Sequence, residues 1–153
     1  QVVAVPIMPP LIKRELDALT SASFCQFCNI VERERTSDRL AAENDDWILI
    51  APFYSQAPYE TWILPHRHIS NLSNMNEGEC RSLAAILRRA LKSMYSLLKD
   101  PPYNFMIYQL PSMYHLNIRI HPTLSKIEGF ERGTGMFINS VPPEQAAAEL
   151  RRI

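Results

Sequence analysis

Cys25, Cys28, His68 and His115 are the residues of this chain whose types could hold a metal ion together. The two thiols stand at C-x-x-C spacing, and the two histidines complete the N/S donor set of a tetrahedral zinc site. Four protein ligands leave no open position for water, so such a site is structural rather than catalytic. Taken alone, a C-x-x-C pair also suits a redox couple or two small buried hydrophobes. The histidines weigh toward the metal. His68 closes a turn, Leu64-Pro65-His66-Arg67-His68-Ile69-Ser70, and His115 opens an alternating strand, so both are able to converge on the thiols. In isolated fingers a zinc site contributes on the order of 10 kcal/mol to folding, so loss of either thiol is expected to damage the fold.

The strand that starts at His115 has two unlike faces. Period-2 geometry sets His115, Asn117, Arg119 and His121 on one side and Leu116, Ile118 and Ile120 on the other. The aliphatic side is core. A polar side of this composition suits a groove or a metal, and its alternative is a solvated sheet face with Arg119 exposed. His66 and His121 read as surface or groove residues, Cys80 as a helix-face residue, and Trp47 and Trp62 as core.

These residues need elements to position them. Leu83, Ile86, Leu87, Ala90, Leu91, Met94 and Leu98 repeat at i, i+3, i+4, i+7, which predicts a long amphipathic helix. Asn76 is its expected N-cap, Glu77 and Glu79 favour its positive end, and Asp100-Pro101-Pro102 stops it. Strands are predicted over residues 2–8, 47–51, 60–64, 103–109 and 114–121, the last two joined around Pro111, with a further strand over 134–139. Short helices are expected over 11–19 and 143–152. Residues 21–27 read as a loop or knuckle for the first thiols, and the charged stretch 31–39 as solvated. The order strand, strand, long helix, strand, strand is an α+β meander with the helix packed on an antiparallel sheet.

Bulk properties exclude several function classes. At 153 residues one domain is expected. A formal net charge of zero carries no basic field for nucleic acid or membrane surfaces, and no apolar run is long enough for a membrane span. Three cysteines with one C-x-x-C suit reduced thiols in a cytoplasmic setting better than a secreted disulfide framework, and no signal-peptide pattern is present. The sequence opens on Gln1 rather than Met, so it is expected to be a processed, truncated or excerpted piece.

The run His115-Leu116-Asn117-Ile118-Arg119-Ile120-His121 resembles a degraded histidine triad, in which histidines alternate with apolar residues. Around it, Ala51-Pro52-Phe53, the segment Pro58-Tyr59-Glu60-Thr61-Trp62 leading into Leu64-Pro65-His66-Arg67-His68, Asp100-Pro101-Pro102-Tyr103-Asn104-Phe105, and the run from Gly129-Phe130-Glu131-Arg132-Gly133-Thr134-Gly135 to Asn139 share a pattern. Together they look like the C-terminal half of the galactose-1-phosphate uridylyltransferase family, which includes ADP-glucose phosphorylase. The resemblance implies an α+β, HIT-like fold: an antiparallel sheet, one long packed helix and short flanking helices. Residues 1–24 would be a connecting strand and helix leading from a missing N-terminal repeat, and 25–153 the HIT-like domain with its structural zinc.

In that family the first repeat carries a His-Pro-His-(Ser or Gly)-Gln motif whose middle histidine takes the nucleotidyl group in a ping-pong transfer. Gln1 looks like the last residue of that motif, which contacts phosphate, so the nucleophile is expected just upstream. Here the corresponding second-repeat position is Asn117, whose carboxamide has no lone pair suited to attack on phosphorus. The resemblance also implies that Cys25, Cys28, His68 and His115 are the zinc set. Phe130, Arg132, Thr134 and Asn139 match by position a stretch lining the sugar-phosphate pocket, where Arg132 could offer a forked donor.

The implied whole exchanges a nucleotidyl group between a nucleotide sugar and a hexose 1-phosphate or phosphate, with a homodimer or an N-terminal half as partner. On its own this chain is expected to be inactive. The competing reading is a retired stand-alone domain that binds a nucleotide or sugar phosphate, or only scaffolds. An independent histidine-triad hydrolase is opposed by Asn117.

Overall fold

The computed structural model describes residues 10–21, 24–110, 114–124, 126 and 128–153. The expected strand over 2–8, the connection at Pro111 and Gln1 lie outside the described residues. The helices are α1 (Pro10–Ser21), α2 (Gln26–Glu34), α3 (Glu77–Leu98), α4 (Gly129–Thr134) and α5 (Pro143–Arg151). The strands are β1 (Leu40–Glu43), β2 (Trp47–Ile50), β3 (Thr61–Pro65), β4 (Tyr103–Tyr108) and β5 (Asn117–Pro122). They form one five-stranded sheet in the order β1-β2-β3-β5-β4, antiparallel throughout.

Both faces of the centre of this sheet are covered, which is why β2 reads as an unbroken apolar run, Trp47-Ile48-Leu49-Ile50. Trp47, Leu49, Ile63, Ile118 and Ile120 pack with Ile86, Ala90 and Met94 of α3 and with Ala146, Ala147 and Leu150 of α5. Ile48, Ile50 and Leu64 point the other way, onto Leu19 of α1, Phe27 and Val31 of α2, and Tyr114. Full burial of an Ile or Met side chain stabilises by about 1.5–3 kcal/mol, so the α3 stripe alone holds that helix to the sheet.

Sequence and structure agree on α3 in detail. The Asn76 side chain accepts from the Glu79 amide at 2.9 Å, and the Glu79 carboxylate accepts from the Asn76 amide at 2.8 Å, a reciprocal capping box. At the other end Lys99 and Asp100 both take φ of 60°, turning the chain left-handed into Pro101-Pro102. The helices expected over 11–19 and 143–152 are α1 and α5.

Three expectations change. The charged stretch 31–39 is solvated only in part: Glu32, Arg33, Arg35, Thr36 and Asp38 are exposed, but α2 runs to Glu34, with Val31 and Glu34 buried. Glu34 itself is buried because Arg39 donates to its carboxylate at 2.8 and 3.0 Å and Ser37 donates at 2.5 Å. The expected strand over 134–139 is absent. Gly135, at φ 70°, ends α4, and the Thr134 hydroxyl donates to the Phe130 carbonyl at 2.8 Å while accepting from the Met136 amide at 3.1 Å. Those local bonds take the groups a strand would need. Finally, β1 adds an edge strand beyond the predicted set, carrying the small residues Ala41 and Ala42 that let α5 approach closely.

The capping box makes a testable statement. Asn76→Ala should cost about 1 kcal/mol in chemical denaturation. Glu79 also receives the Arg67 guanidinium, which holds its carboxyl below the usual range. A lowered pKa stabilises at pH above the unfolded value and is lost as pH falls through the folded one. The deficit of Glu79→Gln should therefore be full at neutral pH and shrink on acidification below about pH 4.

Candidate metal centre and the polar face of β5

Cys25 sits at the N-cap of α2 and Cys28 in its first turn, so the i, i+3 spacing sets both thiols on one side of the helix. His68 follows β3 in a turn held at two neighbouring points. The His66 amide donates to Asp46 O at 2.8 Å, and Arg67 binds both the Glu79 carboxylate and, at 2.9 Å, Asn74 O. His115 lies two residues before β5. The Leu116 amide donates to Ile69 O at 2.6 Å, one backbone bond that ties the two histidine-bearing segments together.

The four ligand atoms all lie within 4.8 Å of one another, a group that could hold a metal ion. Cys28 Sγ is 3.5 Å from His68 Nδ1 and 3.5 Å from His115 Nδ1, and Cys25 Sγ is 3.9 Å from His115 Nδ1. A tetrahedron with metal–sulfur bonds of about 2.3 Å and metal–nitrogen bonds of about 2.0–2.1 Å has S···N edges of about 3.5 Å. The imidazoles of His68 and His115 meet edge to face, centroids 5.1 Å apart. His115 Nε2 lies 3.0 Å from the Pro65 carbonyl, so the hydrogen belongs on Nε2, leaving the Nδ1 lone pair for a cation.

Electrostatics favour an ion here. Burial pulls His115 down to about 4, helped by the charge of nearby His68 and opposed by the Pro65 bond, so its imidazole is a neutral donor at physiological pH. Burial, then the hydrogen bond and charge of Cys25, push the Cys28 thiol up to about 11. Two adjacent thiols resist ionising together unless a cation is shared between them.

Beside this cluster the polar face of β5 is interior. His115, Asn117 and Arg119 are 0%, 0% and 2% exposed, so the solvated-face alternative fails. Arg119 lies between two aromatic faces, its guanidinium carbon 4.1 Å from the Trp62 ring centroid and 4.6 Å from that of Tyr108. It donates to the Glu15 carboxylate of α1 at 2.8 and 2.9 Å and to Asn117 Oδ1 at 2.8 Å. Asn117 Nδ2 donates to His115 O at 2.9 Å, so both ends of the carboxamide are engaged. The Tyr114 hydroxyl, kept protonated by burial and by Glu15, donates to the same carboxylate at 2.7 Å. A cavity of about 240 Å³ opens next to Arg119, walled by Glu60, Trp62, Tyr108 and His121. His121 is partly buried and its pKa is lowered by that burial.

The sequence-predicted residues thus divide. The four metal candidates converge, and Asn117 stands one hydrogen bond away. Phe130, Arg132 and Thr134 are exposed on α4, apart from that cluster, and Asn139 accepts from the Val141 amide at 3.1 Å and donates to Ser55 O at 3.4 Å. Trp62 is half-buried against Arg119 rather than a plain core residue, and Cys80 is exposed on α3. Sequence reasoning missed Glu15 and Tyr114. A lone carboxylate on a short amphipathic helix carries no signal of its partner about a hundred residues away.

A family model described as "Scavenger mRNA decapping enzyme C-term binding" matches residues 24–133. ADP-glucose phosphorylase of Arabidopsis thaliana is 32% identical over all of this chain and 46% of its own length. Galactose-1-phosphate uridylyltransferase of Thermotoga maritima is 30% identical over 99% of this chain and 53% of its own length. The chain belongs to the galactose-1-phosphate uridylyltransferase and ADP-glucose phosphorylase family. A solved uridylyltransferase mutant superposes with TM-score 0.88 at 30% identity, over 97% of this chain and 52% of that one. A HIT-like protein of Bartonella henselae shares the fold at 19% identity, with TM-score 0.63 over 83% of this chain and 93% of its own. This uridylyltransferase-family chain has the HIT-like α+β fold and spans about half the length of the curated relatives it matches. No helix among its described residues is long and apolar enough to cross a membrane.

If the cluster binds a cation, cobalt(II) added to the metal-free protein should give the absorption bands of a tetrahedral thiolate site. Cys28→Ser should weaken or abolish them. Binding displaces thiol protons, so the apparent affinity should fall steadily as pH is lowered.

Proposed function

We propose that this chain is the C-terminal, second-repeat half of a nucleotide-sugar nucleotidyltransferase or phosphorylase of sugar-phosphate metabolism. The observation that carries the reading is similarity across the whole chain to relatives of about twice its length. The intact protein exchanges a nucleotidyl group between a nucleotide sugar and a hexose 1-phosphate or phosphate. Its nucleophilic histidine belongs to the other half. Asn117 supplies no nucleophile, and its carboxamide is buried and spent on Arg119 and His115.

Residues 25–153 are then the HIT-like domain and residues 1–24 the link from the first repeat. The resident ion is structural zinc on Cys25, Cys28, His68 and His115. A thiolate-rich donor set with four protein ligands suits zinc and leaves no site for a reacting water. Free thiols at this centre suit a reducing, cytoplasmic compartment. Gln1, Phe130, Arg132, Thr134 and Asn139 are candidate contacts to the substrate phosphate and sugar.

The same reading gives an occupant to an uncovered apolar surface. On the α3 side of the sheet, β4 extends past the helix and exposes Tyr103, Phe105 and Ile107, next to exposed Tyr95. A groove of about 620 Å³ runs along α3 to Pro101 and to Tyr103 at the start of β4. As an edge strand with apolar side chains, β4 needs a cover. The remaining half of the protein is that cover, and a dimer surface can continue from it.

Incubating the full-length protein with UDP-glucose or ADP-glucose and weighing it should reveal a nucleotidyl adduct, absent from this chain alone. No adduct with any nucleotide sugar would overturn the transferase reading and leave the retired domain. Phe105→Glu should weaken association of separately expressed halves in a pull-down without unfolding this one, because residue 105 is exposed.

A further inference from the structure

None of the four metal ligands stands in a strand of the sheet. His115 precedes the β5 ladder, whose first pair joins Asn117 to Tyr108. Cys25 caps α2, four residues after the end of α1. Neither strand pairing nor the α3 stripe fixes these segments relative to each other.

One side chain ties α1 to the His115 segment. Glu15 projects from α1, the helix that leads into the Cys25 segment. Its carboxylate accepts from Tyr114, immediately before His115, at 2.7 Å, and from Arg119, four residues after His115, at 2.8 and 2.9 Å. Arg119 passes the contact back toward the metal cluster: its Nε donates to Asn117 Oδ1 at 2.8 Å, and Asn117 Nδ2 donates to the carbonyl of His115 at 2.9 Å. Trp62 and Tyr108 fix the plane of the guanidinium from two sides. Phe27, between the two thiols in sequence, packs on the rings of Tyr114 and His115 with centroids 5.4 and 6.1 Å apart.

We infer that the Glu15–Arg119 pair is a clasp that positions the metal centre. Arg119 is a positioning residue for His115, and α1 is the anchor that holds the Cys25–Cys28 segment against it. The clasp rests on the proposed metal reading and adds to it a residue pair that touches no metal. It needs an arginine. A guanidinium donates from Nε and Nη2 in two directions and stacks between rings, whereas a lysine ammonium is a single point that cannot reach Asn117 and Glu15 in that geometry.

The test uses the full-length, metal-loaded protein, and wild-type metal content is measured first. Chelator-driven metal loss is then followed in Glu15→Gln, Arg119→Lys, the double variant, and Lys13→Ala, which removes only the exposed Lys13–Asp17 pair of the same helix. Partners bonded directly to metal ligands are typically worth 10–100-fold in affinity, and the clasp acts one bond or more further out, so each clasp variant should lose metal about three- to tenfold faster. The double variant should be no faster than the quicker single one, since both break one link, and Lys13→Ala should match wild type. Cobalt(II) bands should shift in Arg119→Lys, a change that lowered stability alone does not produce.

Should Arg119→Lys fail to fold, Glu15→Gln and Tyr114→Phe carry the same comparison, Tyr114→Phe removing only the hydroxyl on Glu15. Metal loss within about twofold of wild type despite a lowered melting temperature, or independent addition of the single effects, would overturn the clasp while leaving the metal reading intact. A wild-type protein without metal would remove both.

Discussion

A guanidinium enclosed in the interior governs how this molecule is put together. Arg119 lies on the central part of a sheet whose two faces are both covered, and at 2% exposure it is nearly withdrawn from bulk water. Every donor it presents has to be answered from within the chain. Glu15 supplies the opposite charge, Asn117 an oxygen, and Trp62 and Tyr108 the electron-rich faces of two rings. Removing one partner of a buried pair typically costs about 3–5 kcal/mol, because the other charge stays behind unanswered. The first helix is therefore bound to the sheet by electrostatics as well as by Leu16 and Leu19, and the loop into β5 is held through the same carboxylate.

The metal cluster depends on that arrangement and on a second anchor at the far side. Its ligands come from three chain segments, and none of the four belongs to a strand. His68 is steadied by Arg67, whose partner Glu79 is also the capping carboxylate of α3. One buried acid thus serves the start of the longest helix and the turn that carries a ligand. His115 is steadied by the Pro65 carbonyl and by the Asn117 contact to its own backbone. The cluster is a meeting point of two rigid supports, the N-terminus of α3 and the polar face of β5. An ion there would bind the α2 knuckle to both.

Patterns confined to one element were legible in the sequence. The α3 stripe, its cap and its double-proline stop, and the alternating faces of β5 follow from local periodicity, and the structure keeps all of them. The metal set was legible because thiols and histidines are few and their chemistry is specific. What failed were features whose meaning comes from a distant partner. Residues 31–39 looked solvated because their charges outnumber their apolar groups, yet Phe27, Ile30, Val31 and Glu34 fall on one side of a helix, and Arg39 makes the burial of Glu34 tolerable. Residues 134–139 had strand-like side chains, but Gly135 and the hydroxyl of Thr134 close local bonds first. The burial of Arg119 was the largest miss. Nothing in its own neighbourhood announces Glu15.

The burial of Arg119 also bears on the proposed absence of chemistry at this face. Asn117 alone accounts for the absence of a nucleophile, since a carboxamide nitrogen has its lone pair in resonance. A missing nucleophile would still leave an open anion site if Arg119 faced solvent. Instead the Glu15 carboxylate of α1 occupies the guanidinium at 2.8 Å. An anion entering the cavity beside Arg119 meets the carboxylates of Glu15 and Glu60. The carboxamide completes the closure, because it offers a donor and an acceptor at once and does not titrate, so the two-bond relay from Arg119 through Asn117 to the His115 carbonyl persists at any pH at which the protein is folded. On the proposed reading, retirement of the strand is a property of the whole packed face. A histidine at position 117 would bring a nucleophile in kind, but it would remove the link that steadies His115 and leave Glu15 on the guanidinium.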